Sequence, residues 1–232
     1  MDECPKGKRT KQNMKALAGL LYKFAIPRRY TDLNMAQYLI VTADDSEGRS
    51  ALSLSAVDAL MQKADKIPYA AHVVCQCYLG FRPSELLALQ IEDYSPVLRA
   101  FTGGSKTDAG KDRIVTVSPK IQHLIDQQIG TRSTGAVFCG PDGSPLNIKS
   151  YRLAFYAALD AVGVSNPVEG EGDAARRRYT PHSCRHTFAT MLKNVQAPDK
   201  DKLRLIGHTS AEMLRHYQAV DVEALRRITD AF

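Results

Sequence analysis

The chain has 232 residues, 44% of them hydrophobic and 24% charged. That is the balance of an ordinary soluble globular protein, and it excludes a disordered chain, a collagen-like repeat and a disulfide-stapled miniprotein. No apolar run approaches the roughly 18–20 residues a membrane-spanning helix needs, and the opening MDECPKGKRT lacks the apolar stretch of a signal peptide. The net charge of +6 is unevenly placed. Residues 1–30 carry eight basic and two acidic side chains, which is the whole excess, and residues 31–232 are formally neutral. A basic leader suits a polyanion partner and equally a solvated tail, so nucleic acid has to be argued from the sites. The cysteines (Cys4, Cys75, Cys77, Cys139, Cys184) are odd in number and match no zinc or disulfide framework. They read as reduced thiols of a cytoplasmic protein.

Along the chain, Met14, Leu17, Leu21 and Phe24 form one apolar stripe over residues 12–26, and Pro27 ends that helix. One amphipathic helix cannot bury its own stripe, so it docks elsewhere or lacks its former partners. Residues 42–50, TADDSEGRS, read as a linker. The main domain begins near Ala51. Ser55 with Asp58 marks a helix start whose buried face is Val57, Leu60, Met61 and Ala64. Pro68 opens a second helix to Leu79, Gly80 breaks it, and Pro83 opens a third, Pro83–Gln90. Leu98–Thr102 and Arg113–Val117 read as strands joined by the hairpin loop GGSKTDAGKD. Pro119 starts a helix with Ile121, Leu124, Ile125 and Ile129 inward, and Ile148–Val162 is helical. Thr180-Pro181 opens His182–Lys193, Thr209 with Glu212 opens a helix carrying Tyr217, and Val222–Ile228 is a last amphipathic segment. The class is mostly α with a small antiparallel β-sheet (α+β). No Gly-x-Gly-x-x-Gly or strand–helix alternation supports a dinucleotide-binding fold.

Four segments gather groups suited to a phosphate. Arg82 stands at the mouth of a helix, with Glu85 one turn on to hold its guanidinium. Lys106 lies on the hairpin loop. His182 and Arg185 share one helical face at i and i+3. Gly207-His208 is followed nine residues later by Tyr217. Each alone has an ordinary explanation as a surface ion pair, a solvated lysine, a first-turn histidine or a rim tyrosine. His182 and His186 have helical spacing for a metal, but Cys184 points elsewhere and no third ligand fits, so no metal is expected.

Taken together, GFRPSEL…SKT…HSCRHTFAT…LIGH…HY resembles the tyrosine recombinases, the integrase family of phages and integrative transposons, over about residues 51–232. The resemblance implies a tyrosine-recombinase catalytic domain over 51–232 after the linker 42–50. It implies that residues 1–41 are a basic segment with the last helix of a core-binding domain, so that the chain is a fragment of a longer clamp. It assigns the catalytic roles to Arg82, Lys106, His182, Arg185, His208 and the nucleophile Tyr217, with Glu85 in support. Lys111 on the same hairpin is a rival for the lysine role, and the Lys106-Thr107 pair favours Lys106. The implied activity is DNA cleavage and rejoining through a 3′-phosphotyrosine, for integration and excision of a mobile element, without metal or other cofactor. The implied partners are double-stranded DNA and three further copies in a tetramer, with Val222–Ile228 a candidate for docking on a neighbour. Type IB topoisomerase-like relaxation and a non-cleaving DNA-binding module are the alternatives.

Overall fold

Prolines and small polar residues set where most helices begin. The structure is a computed structural model that describes residues 4, 7–41, 50–104, 112–170, 175–207 and 222–232. It divides into two compact units, Met1–Gly48 and Arg49–Phe232.

In the first unit, helix α1 (Lys8–Ala25) runs into a 3-10 turn, Ile26–Arg28, with Pro27 at its start. Arg29 closes the turn in the left-handed region at φ 59°. A second 3-10 turn, Met35–Tyr38, is capped by Asn34, whose side chain accepts from Ala36 N–H at 3.0 Å. Lys15 Nζ donates to the Leu39 carbonyl at 2.6 Å and ties this turn to α1. The stripe Met14, Leu17, Leu21 and Phe24 is exposed.

In the second unit, α2 (Leu54–Gln62) is capped by Ser53, which accepts from Ala56 N–H at 3.2 Å. The expected cap at Ser55 is thus two residues late, and the Ser55 hydroxyl instead bonds Ser53 at 2.9 Å. Helix α3 (Ala70–Leu79) starts after Pro68, because Tyr69 is left-handed at φ 64°. All ten residues of α3 are buried, eight of them apolar or aromatic, and the two polar ones, His72 and Gln76, are hydrogen-bonded to the Cys139 and Phe81 carbonyls. It packs on α2, on α5 (Pro119–Ile129), on α6 (Ile148–Ala161) and most extensively on α7 (Pro181–Lys193). Helix α4 (Pro83–Ala88) stops two residues short of the expected Gln90.

A three-stranded antiparallel sheet, β1 (Tyr94–Ser95), β2 (Ala100–Gly103) and β3 (Arg113–Thr116), lies in that order, with Phe101 opposite Val115. Strand β2 starts at Ala100 rather than Leu98, since Arg99 sits at φ 46° and cannot extend. A second hairpin pairs β4 (Val168–Glu169) with β5 (Arg176–Arg177). Helix α8 (Asp199–Ile206) follows Pro198. Helix α9 (Val222–Asp230), expected as a docking segment, buries Leu225 and Ile228 in the core of its own domain and packs on β3, α5 and α8. Thr116 Oγ1 donates to the Leu225 carbonyl at 3.0 Å, and Ser118 Oγ to the Phe232 carbonyl at 2.9 Å. The architecture is mostly helical with small antiparallel sheets, as the sequence predicts.

Candidate active site

Gly80 is where the site is fixed to the core. It ends α3 in the left-handed region at φ 65°, and a Cβ there would meet Phe188 Cδ1 at 2.1 Å. Only glycine accepts both the conformation and that approach. Its carbonyl accepts from Arg185 Nη1 at 2.7 Å, and the second Arg185 nitrogen, Nη2, donates to the Ile206 carbonyl at the end of α8. Arg185 therefore joins α3, α7 and α8 through one buried guanidinium. The next carbonyl, of Phe81, accepts from Gln76 Nε2 at 3.2 Å, and Tyr151 Oη donates to Gln76 Oε1 at 2.8 Å. The stretch of chain from Gly80 to Arg82 is thus held by α3, α6 and α7.

Arg82 precedes α4. Its backbone N–H donates to Glu85 Oε2 at 2.9 Å and its Nη1 to Glu85 Oε1 at 2.8 Å. Arg113, at the head of β3, approaches the same carboxylate: its Nη2 reaches Glu85 Oε2 at 3.2 Å while its guanidinium lies 4.3 Å over the Phe81 ring. Burial alone pushes the Glu85 carboxyl up. The Arg82 N–H, the Arg113 guanidinium and the Arg82 side chain together outweigh burial and hold it below the usual carboxylate range. Arg185 is lowered to about 10, by burial first and then by the charges of Arg113 and Arg82, with Glu85 opposing. It stays protonated at neutral pH. Two guanidiniums thus share one carboxylate, and a third, Arg185, lies close enough to feel the charge of all three groups, an arrangement that favours an added anion.

His182 is exposed in the first turn of α7, one turn before Arg185. The turn is set by Ser183, whose N–H donates to the Thr180 carbonyl at 2.7 Å and whose Oγ accepts from Thr180 N–H at 3.1 Å. Cys184 is buried against Cys77, and burial raises its thiol pKa, so it is neither ligand nor nucleophile. Among the described residues no group of His, Cys, Asp or Glu is placed to hold a metal ion. The structure therefore brings Arg82, Glu85 and Arg185 together, with His182 leading the same helix as Arg185. Lys106, Lys111, His208 and Tyr217 lie outside the described residues. Arg113, Gln76 and Tyr151 are not legible in the sequence as site residues. Their partners lie up to 75 residues away along the chain, and no local spacing signals them.

The fold and this arginine cluster define a class: residues 51–224 match the phage integrase family, and the chain belongs to that family of tyrosine recombinases. Over 186 residues it is 27% identical to an integrase of Streptomyces ambofaciens, covering 68% of this chain and 45% of that protein. The chain thus spans less than half the length of that relative. Its fold is similar to that of the Tn1549 transposon integrase (residues 82–397) solved in complex with circular intermediate DNA. The TM-score is 0.71 at 21% identity, over 98% of this chain and 80% of that one. It is also similar to a lambda integrase (75–356) dimer bound to a COC′ core site, with TM-score 0.62 at 17% identity, over 89% and 74% of the two chains.

Proposed function

We propose that this chain is the catalytic part of a site-specific DNA recombinase that integrates and excises a mobile element through a 3′-phosphotyrosine intermediate. The observation that carries the reading is the arginine cluster at the starts of α4 and α7, in which Arg82 and Arg113 share the Glu85 carboxylate and buried Arg185 is aimed by the Gly80 and Ile206 carbonyls. Tyr217 Oη attacks a backbone phosphorus while His182 takes the phenolic proton, which an unperturbed phenol holds to a pKa of about 10. The bond from phosphorus to the 5′-oxygen breaks, and Lys106 gives that oxygen its proton. Arg82 and Arg185 bind the non-bridging oxygens as charge builds in the pentacoordinate transition state, and His208 donates to one of them. Glu85 orients Arg82. The covalent link conserves the phosphodiester energy, so attack by another strand's 5′-hydroxyl completes exchange without ATP. The reading includes action on double-stranded DNA as a tetramer, in the cytoplasm.

The test is incubation with nicked duplex sites that trap the covalent intermediate. A protein–DNA adduct, absent in Tyr217→Phe, is expected, and absence of any adduct with the unsubstituted chain overturns the reading. Strand exchange between two duplexes separates recombination from topoisomerase-like relaxation. Lys106→Ala is expected to cleave ordinary DNA about 10²–10⁴-fold slower and to recover on a 5′-bridging phosphorothiolate, whose sulfur leaves without a proton. Rescue of Lys111→Ala instead would move the acid to Lys111.

A further inference from the structure

Beside the arginine cluster lies a cleft of about 380 Å³ whose lining includes Arg152 of α6, Arg176 and Arg177 of β5, and Tyr156, Thr180 and His182. Among the described residues no acidic side chain lines it. Nothing in the proposed chemistry uses its three arginines. The cleft is also a built feature. Arg177 donates to the Asn166 carbonyl at 3.0 Å and stacks 4.9 Å over the Tyr156 ring. Asn166 is buried, and its side chain grips the Tyr179 backbone from both sides: Oδ1 accepts from Tyr179 N–H at 2.7 Å, and Nδ2 donates to the Tyr179 carbonyl at 3.2 Å. One amide thereby fixes the chain between β5 and α7. Arg178, the next residue, turns to an exposed pairing with Glu169 at 3.7 Å and does not line the cleft.

The position of His182 gives the cleft its meaning. This residue lines the cleft, and it stands three residues before Arg185 on the same helix, a rise of about 4.5 Å. A DNA strand carries a phosphate on either side of the reacting one, and the cleft adjoins the arginines assigned to that phosphate, since its lining also includes Pro83 and Ser84, which follow Arg82. Clustered guanidiniums are the chemistry that takes such an oxyanion. We propose that the cleft formed by Arg152, Arg176 and Arg177 is a second phosphate subsite, which holds a non-scissile backbone phosphate next to the one cleaved. This rests on the DNA-cleaving reading above. Its consequence is register: the strand is gripped at two points, so the reacting phosphorus is positioned by its neighbour as well as by its own oxygens.

The test is the salt dependence of binding to a 30-bp duplex of mixed sequence, followed by anisotropy. For each phosphate no longer neutralised, the slope of log K against log salt becomes shallower by about 0.9. Arg152→Ala/Arg177→Ala is expected to leave about one phosphate unneutralised and to bind about tenfold more weakly at low salt. Arg152→Ala alone changes only an exposed side chain and is expected to move the slope in the same direction, which guards against misfolding of the double variant. Lys66→Ala/Lys120→Ala removes two exposed charges outside the cleft and is expected to leave the slope unchanged. An unaltered slope in the cleft variants, or an equal change in the lysine variant, overturns the subsite while the DNA-cleaving reading stands. Failure of the unsubstituted chain to bind the duplex or to form an adduct overturns both.

Discussion

Arg82 and Arg185 are held in the site by opposite means. Arg82 is paired with a carboxylate, at 2.8 Å from its side chain and 2.9 Å from its own N–H, and shares that carboxylate with Arg113. Arg185 is held by two backbone carbonyls, of Gly80 and Ile206. Carbonyls fix direction and cancel little charge. Arg82 is therefore oriented and partly neutralised. Arg185 is oriented with its charge largely uncompensated, and burial together with the neighbouring guanidiniums brings its pKa down to about 10. Aim and charge are thus supplied by separate contacts. Arg185 is the stronger anion-seeking group, and Arg82 is the one whose strength depends on Glu85.

Arg185→Ala should show this most strongly. Cleavage of a trapped site is expected to fall about 10²–10³-fold, and more than in Arg113→Lys, which leaves the Arg82–Glu85 pair in place. Equal losses would erase the contrast.

Gly80→Ala strikes both arginines at once. The added methyl meets Phe188 at 2.1 Å in a left-handed backbone, and a loss of about 3 kcal/mol in urea unfolding is expected. Stability near that of the unsubstituted chain would mean that the seam of α3 and α7 yields easily.

Glu85→Gln probes the Arg82 side. The Glu85 carboxyl has a lowered folded pKa, so its contribution to stability is present above about pH 4.5, the unperturbed value, and is lost as pH falls through the folded one. Unfolding measured from pH 6 downward should therefore be less steep in Glu85→Gln. An identical acid profile would show that the carboxylate contributes nothing to stability.

The smallest effect concerns inorganic phosphate. An anion that completes the charge at Arg185 stabilises the fold by about 0.4 kcal/mol when its concentration equals its Kd. Thermal melts should rise with phosphate in the unsubstituted chain and much less in Arg185→Ala.

Much of this fold is legible in the sequence where a residue acts on its own neighbourhood. Pro83, Pro119 and Pro181 each occupy the first position of a helix, since a fixed φ and a missing N–H suit that position. The largely apolar stretch of α3 and the break at Gly80 are legible for the same reason. The two-residue strands β1, β4 and β5 are too short to show a period, and α8, DKDKLRLI, is too polar to show a stripe. In the site, Arg82 with Glu85 and His182 with Arg185 follow from helical spacing. The grip of Arg113 on Glu85 comes from a strand 28 residues on, and that of Tyr151 on Gln76 from a helix 75 residues on. Such contacts are products of packing, and local pattern carries no trace of them.

Helix α9 also acts as a clasp on its own domain. Arg185 fixes Ile206, and Thr116 and Ser118 fix α9 and the Phe232 carbonyl. Arg99 adds a pairing with Asp230 at 3.1 Å, and the Phe232 ring stands edge-on to Phe188, 5.8 Å away. Leu225 and Ile228 of α9 are thereby sealed into the same core that carries α3 and α7. Loosening α9, without touching any arginine, would open that core beside Phe188 and so weaken the seam at Gly80 from which Arg185 is held.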